Sequence, residues 1–513
     1  MKAGVGVESK SGNVERKDVV RETMSYVLLT YVSQALALLA GFATKRILGP
    51  RAFGEWALVY SLMSYAALLE LGVTQAATKE IAYLRARGLD RIASRYKSAL
   101  FSMVVVAGFA GAVILLWLST FYWREGSEMM TYGLVAVGLL LPAYLVQTAQ
   151  VAVCWAEKRF NIVGRMGVWE SFVAATIGVL LVWQLGFAGQ VVTFVVIILT
   201  KIGIVAWISR RELRLKIEWN WRWRRARRLV AVGVPLQLLT LSNLLKATGA
   251  TVIIGYLYGA RDVGLWALAL SVQMYVYWTP NALAIVLFPH LQGRFAANRN
   301  QERALWEYLR QPWLALSLFA LPILVGSAYF LAPLAIRQVM PAFVEAIPIT
   351  KRLLLGTWWL SLEHMPFQVL ATANRLWGRL IVQLLGAVGF GACVAVSIVS
   401  RAGLQGIAVG TAIGNVVAFM LLGGVAGYVV VGLRGARRTW CEMCLAFCYF
   451  VAVILTLDVV VPDATGSVGM DITRTALKCV LCILFETPLF MLAERRLHVI
   501  EAMRSAVKRG LRG

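Results

Sequence analysis

The sequence is poor in acid. Its 513 residues include 26 aspartates and glutamates against 51 lysines and arginines, a formal net charge of +25. No Asp-x-Asp pair occurs in it, and the segments between apolar runs are too short to hold an extramembrane domain. Both absences argue against a membrane-embedded enzyme, which needs a sizeable loop carrying acidic or arginine side chains. A removable targeting segment is not expected either. The first 24 residues are polar and mixed in charge, with no short apolar core and no small-residue cleavage site, so insertion relies on the first true span. Cysteine is scarce, and Cys441, Cys444, Cys448, Cys479 and Cys482 fall inside apolar runs. A structural zinc site usually sits in a small folded knuckle, so these thiols read as small hydrophobes in helix packing. No metal and no other cofactor is expected.

Apolar residues are abundant: 59% of the chain is hydrophobic and the mean hydropathy is +0.71. No aqueous globule hides that much apolar surface, whereas a bilayer needs only about 20 consecutive apolar residues per helix. Runs of that length predict an all-α, polytopic membrane protein of about fourteen transmembrane helices, starting near Ser25, Gly54, Ser98, Thr131, Met166, Gln190, Leu229, Val263, Pro312, Lys351, Leu380, Leu404, Trp440 and Thr473. Lysine and arginine then fall in alternate loops. One set holds Arg85, Arg87, Arg91, Arg95 and Lys97; Lys158, Arg159 and Arg165; Arg294, Arg299, Arg303 and Arg310; and Arg434, Arg437 and Arg438. Basic loops stay inside, which puts both termini in the cytoplasm. The densest run, "RRELRLKIEWNWRWRRARR" from Arg210 to Arg228, interleaves Trp219, Trp221 and Trp223 with arginine. Because it joins two spans directly, it reads as an interfacial segment against anionic lipid headgroups, and nucleic acid is not expected as a partner.

Two stretches repeat. "ILGPRAFGEWALVYS" (Ile47–Ser61) and "LYGARDVGLWALALS" (Leu257–Ser271) share Gly49/Gly259, Arg51/Arg261, Gly54/Gly264, Trp56/Trp266, Ala57/Ala267, Leu58/Leu268 and Ser61/Ser271 at an offset of 210. The first copy straddles spans 1 and 2, the second spans 7 and 8. A unit of six helices enters the membrane twice in the same direction, which predicts two parallel six-helix repeats with a cavity between them, plus two extra C-terminal helices. The glycines allow a tight turn, and the tryptophans are expected to anchor at the outer interface. The expected organisation is an N-terminal segment 1–24, an N-lobe 25–208, a basic linker 209–228, a C-lobe 229–432, spans 13 and 14 within 433–495, and a tail 496–513. Gly406, Gly410 and Gly414, four positions apart, predict close helix packing.

The segment Thr44–Ala82 carries Arg46, then Leu48, Gly49 and Pro50, the aromatic Phe53 with Gly54, and further on Leu71 and Gly72. It resembles the polysaccharide transporter branch (lipid-linked oligosaccharide and O-antigen flippases) of the multidrug/oligosaccharidyl-lipid/polysaccharide flippase superfamily. The second copy departs from the pattern, with Ala260 in place of proline and Val263 in place of the aromatic. The resemblance implies a multi-pass protein of the cytoplasmic membrane that flips a lipid-linked oligosaccharide, working beside polysaccharide biosynthesis enzymes and among membrane lipids. It carries no short catalytic signature.

Ionisable and polar groups inside spans are expensive and mark sites. Span 1 offers Gln34, Lys45 and Arg46; span 2 Glu70, Gln75 and Lys79; span 7 Gln237, Asn243 and Lys246; span 8 Gln273 and Asn281. Cations suit the phosphates of a lipid diphosphate, and amides suit its sugars. Lys246 has no acidic residue within a helical turn and is expected to meet substrate. Lys45 and Arg46 either meet it or snorkel from a helix end. Glu70 either pairs with a cation across the bundle or takes a coupling proton. The adjacent Glu363 and His364 either relay protons or form a satisfied polar pair. Glu170, Lys201, Lys478 and Glu486 offer no basis for ranking. The leading expectation is thus a flippase moving a polyprenyl diphosphate-linked oligosaccharide by alternating access. The alternative is an ion-coupled small-molecule exporter of the same superfamily, which the excess of base disfavours; a membrane glycosyltransferase or polysaccharide polymerase is remote.

Overall fold

The computed structural model describes residues 5–208, 222–297, 302–366, 376–462 and 468–497. The basic stretch 209–221, with Trp219 and Trp221, lies outside the described residues, as do Arg299, the tail beyond 497 and the side chains before Leu28 and of Arg294, Arg303 and Arg434. The described chain is helical without strands, as lipid demands: with no water to bond, every backbone N–H and C=O must be satisfied within its own helix. The protein is an all-α polytopic membrane protein. Among the described residues, eleven helices are long and apolar enough to cross a bilayer. All fourteen predicted starts fall on helices, and the lower number has physical sources. One helical run, kinked at Gly49, holds the first two spans, the helix beginning near Lys351 has only 16 residues, and the helix beginning near Val263 is not among the eleven.

The chain divides into two compact units, Met1–Leu244 with Thr251–Gly264, and Leu245–Ala250 with Leu265–Gly513. In the first, α1 (Val5–Ala67) and α2 (Val73–Ala86) precede α3 (Asp90–Arg124) and α4 (Glu128–Ala156). Next come α5 (Phe160–Val173), α6 (Val179–Leu185), α7 (Phe187–Ile208) and most of α8 (Trp223–Tyr258). Backbones approach closely where glycine leaves room. A Cβ on Gly108 of α3 would lie 2.5 Å from Pro142 Cα of α4, and one on Gly72 2.3 Å from Gly233 O of α8.

The repeated motif has a local structural counterpart. Gly49 (φ 71°, ψ 175°) interrupts α1, and Gly259 (φ 90°, ψ 177°) closes α8 in nearly the same conformation, one that only glycine adopts without strain. Five residues on, a Cβ on Gly54 would lie 1.7 Å from Ala260 O, and one on Gly264 1.8 Å from Pro50 O. Residue 54 therefore meets 260 as 264 meets 50, a reciprocal contact in which each copy's glycine accepts the other's backbone. The two motif tryptophans are both buried. Trp56 is buried edge-on against Phe187 and Phe194, at centroid distances of 6.4 and 5.6 Å, and Trp266 is 1% exposed. Apolar ring area thus packs against neighbouring side chains.

The second unit holds most of α9 (Ala260–Ala297), then α10 (Glu302–Ala315), α11 (Leu321–Val339) and α12 (Ile347–Leu362). It continues with α13 (Leu376–Val399), α14 (Gly403–Val460, broken at Gly432), α15 (Val468–Phe485) and α16 (Thr487–Leu497). Its core is aromatic. Trp358 lies 4.8 Å from Phe450, Trp359 5.1 Å from both Phe419 and Phe447, and Trp313 is fully buried beside them. The glycine row of α14 packs as its spacing predicts: a Cβ on Gly410 would lie 2.3 Å from Ser397 Oγ and one on Gly414 2.6 Å from the Phe390 ring, both on α13.

Candidate substrate site

Within the first unit, the helix break after α1 gathers the candidate polar groups. A 3-10 turn at Leu68–Glu70 ends in Leu71 and Gly72, both left-handed (φ 53° and 70°), which frees carbonyls from the helical ladder. Gln237 Nε2 of α8 donates to Leu68 O at 3.2 Å, and Gln75 Nε2 donates to Thr240 Oγ1 at 2.6 Å. Glu70 accepts a hydrogen bond from Thr74 Oγ1, one turn along. The cation expected opposite it is not found among the described residues; a local hydroxyl satisfies the carboxylate instead.

Lys45 and Arg46 part company. Lys45 is 4% exposed, its Nζ 5.2 Å above the ring of Phe53, whereas Arg46 is exposed. Lys45 therefore does not snorkel. Among the described residues no carboxylate pairs with it, and the ring's negative face is its one compensation. Lys45 and the motif residue Phe53 thus meet across the Gly49 break. Lys79 is exposed, and Gln34 is half-buried.

In the second unit Lys246 Nζ lies 2.6 Å from Glu363 Oε1, the side chains 8% and 13% exposed. Two residues that the sequence places 117 apart share one site. Among the described residues Glu363 Oε2 and His364 Nε2 have no hydrogen-bond partner, and the His364 ring lies 4.9 Å from that of Tyr277. Gln273 Nε2 donates to Leu353 O at 3.3 Å. Asn281 is half-buried on α9 and Asn243 is exposed on α8. Immediately after Lys246 in the chain, Ala247 and Thr248 line a groove of about 330 Å³ with Ser271, Met274, Tyr275 and Trp278. Hydroxyls and aromatic faces together can hold either a sugar or an apolar organic group.

Sequence reasoning missed the strongest charged knot. Asp458 of α14 accepts from Lys351 (2.9 Å), Lys478 (3.1 Å) and the Tyr329 hydroxyl (2.9 Å). Its signal was a lone acid in an apolar run with lysines in two others. Elsewhere Glu157 binds both Arg85, at 2.8 Å, and Lys97, and Lys201 pairs with Glu170 at 2.5 Å.

Residues 44–341, more than half of the chain, match the family model described as polysaccharide biosynthesis protein. The chain belongs to that family. A comparison with curated protein sequences gives no match. The fold of this polysaccharide biosynthesis protein is similar to that of an inward-facing multidrug resistance MATE family transporter of the MOP superfamily, with TM-score 0.66, 15% identity, and 81% and 98% of the two chains covered. It is also similar to lipid II flippase MurJ in an inward closed conformation, with TM-score 0.62, 12% identity, and 92% and 99% covered. A Vibrio cholerae MATE transporter gives 0.54 at 16% identity, covering 84% and 98%. At such identities the likeness establishes the fold alone.

Proposed function

We propose that this polysaccharide biosynthesis protein is a flippase that carries an oligosaccharide, joined through diphosphate to a polyprenol, across the cytoplasmic membrane by alternating access. It lies in that membrane with both termini cytoplasmic, and the polysaccharide biosynthesis enzymes act before and after it. The observation that carries the reading is Lys45. A buried ammonium with no carboxylate partner among the described residues costs several kcal/mol, and an anionic cargo offsets that cost each time it binds. Family membership supports a glycan cargo. The groove beside Lys246 suits the sugars, its hydroxyls offering hydrogen bonds and its rings offering flat apolar faces.

The likeness to MATE transporters and the aromatic lining of the groove, where Trp278 is 42% exposed, favour a second reading: an ion-coupled exporter of organic cations. Charge separates the two. Surface glycan and cationic-dye efflux are to be measured in cells carrying wild type, Lys45→Met or Lys45→Arg, with protein abundance followed in membranes. The flippase reading expects glycan export lost in Lys45→Met, partly kept in Lys45→Arg, and no dye efflux by wild type. Robust dye efflux with unchanged glycan overturns it.

A further inference from the structure

The C-terminal helix pair breaks at a residue that the substrate site does not use. α15 ends at Phe485, α16 begins at Thr487, and Pro488 lacks the N–H that would continue the ladder. At the break sits Glu486, 1% exposed, with neither carboxylate oxygen given a hydrogen bond. It lines, with Ser327, Pro322, Ile323, Cys482 and Phe490, a cavity of about 10 Å³, room for one water. Among the described residues no lysine or arginine pairs with it. Of the two cations on α15, Lys478 binds Asp458 at 3.1 Å and Arg474 donates to Pro462 O at 3.2 Å. The titratable groups facing it are Cys479 and Cys482 of α15 and Tyr449 of α14, whose hydroxyl is donated to Phe485 O at 2.6 Å. From α11 comes only the hydroxyl of Ser327, and from α16 the ring of Phe490, which packs on Phe319 at 5.1 Å.

An ionised carboxylate here has no counter-charge and no donor, which costs several kcal/mol. A hard metal cation wants about six oxygen ligands, whereas the side chains lining the cavity supply two carboxylate oxygens and one hydroxyl. Among the described residues no group of His, Cys, Asp and Glu side chains is arranged to hold a metal. A proton asks for no such shell. We propose that Glu486 is a proton-binding site: its carboxyl carries a proton in this conformation and gives it up when α11 moves from α15 and α16 and water enters the cavity. The O–H bond of Glu486 then breaks, a water takes the proton as hydronium, and the carboxylate left behind is solvated. The site is separate from the candidate substrate residues and does not depend on the identity of the cargo.

The test is infrared spectroscopy of the full chain in liposomes at neutral pH, for wild type and Glu486→Gln, in potassium and in sodium buffers. A protonated-carboxyl C=O band present in wild type, lost in Glu486→Gln and unchanged by sodium is the expected result. An identical band in both proteins overturns the proposal, because Glu486 is then ionised. Loss of the band on replacing potassium by sodium at constant pH overturns it in favour of a metal cation. Should Glu486→Gln fail to reach the membrane, Glu486→Asp replaces it, and the band must shift in frequency; an unshifted band overturns the assignment.

Discussion

Lys246 and Glu363 form a buried ion pair at 2.6 Å, so removing the lysine perturbs two properties at once. Taking one partner from such a pair leaves an uncompensated charge and costs about 3–5 kcal/mol, roughly two to four orders of magnitude in the folding equilibrium. Lys246→Met alone should therefore lower both membrane abundance and thermal stability. The double variant Lys246→Met, Glu363→Gln removes both charges and should recover to within about 1 kcal/mol of wild type, because contacting residues couple and a neutral pair needs no compensation. Transport follows another rule. If the ammonium also meets the cargo's diphosphate, the double variant is stable yet exports little glycan, while Lys246→Arg keeps the charge, changes its geometry and retains part of the activity. Exposed Arg46 is the comparison: Arg46→Ala should weaken export mildly, because water screens it. The assays are fluorescence-detected size exclusion after heating, immunoblotting of membranes, and quantified surface glycan. Full export by the double variant at normal abundance refutes a substrate role for Lys246. A stability of Lys246→Met equal to wild type refutes the energetic reasoning itself.

Gly54→Ala and Gly264→Ala each drive a Cβ into a carbonyl less than 2 Å away and should abolish the folded protein, measured as monodisperse material after extraction. Gly49→Ala meets open space and is opposed only by its positive φ, so it should cost about 1–3 kcal/mol, less than either clash. For topology, a cysteine placed between Arg210 and Arg228 should resist an impermeant thiol reagent in intact cells and react in everted membranes; labelling from outside inverts the orientation.

How much was legible follows from the range of each interaction. Local patterns were enough for the helices, because in lipid an apolar run of sufficient length has no other way to satisfy its backbone. The starts predicted near Gly54 and Trp440 reappear beyond breaks at Gly49 and Gly432, and Gly410 and Gly414 of the glycine row pack closely on α13. The repeat was visible as matching letters at an offset of 210. Partnership was not visible. Nothing within a helical turn of Lys246 announces Glu363, Lys351 lies 107 residues from Asp458, and Glu486 is unpartnered only because of what the fold leaves out around it. Even Trp56, which composition sends to the interface, is packed by rings on α7. By itself the sequence determined the class, the helices and the points where only glycine serves, since each depends on residues adjacent in the chain. Which charges neutralise one another and which stay alone was decided by tertiary structure, because those distances are set by packing between helices remote in sequence.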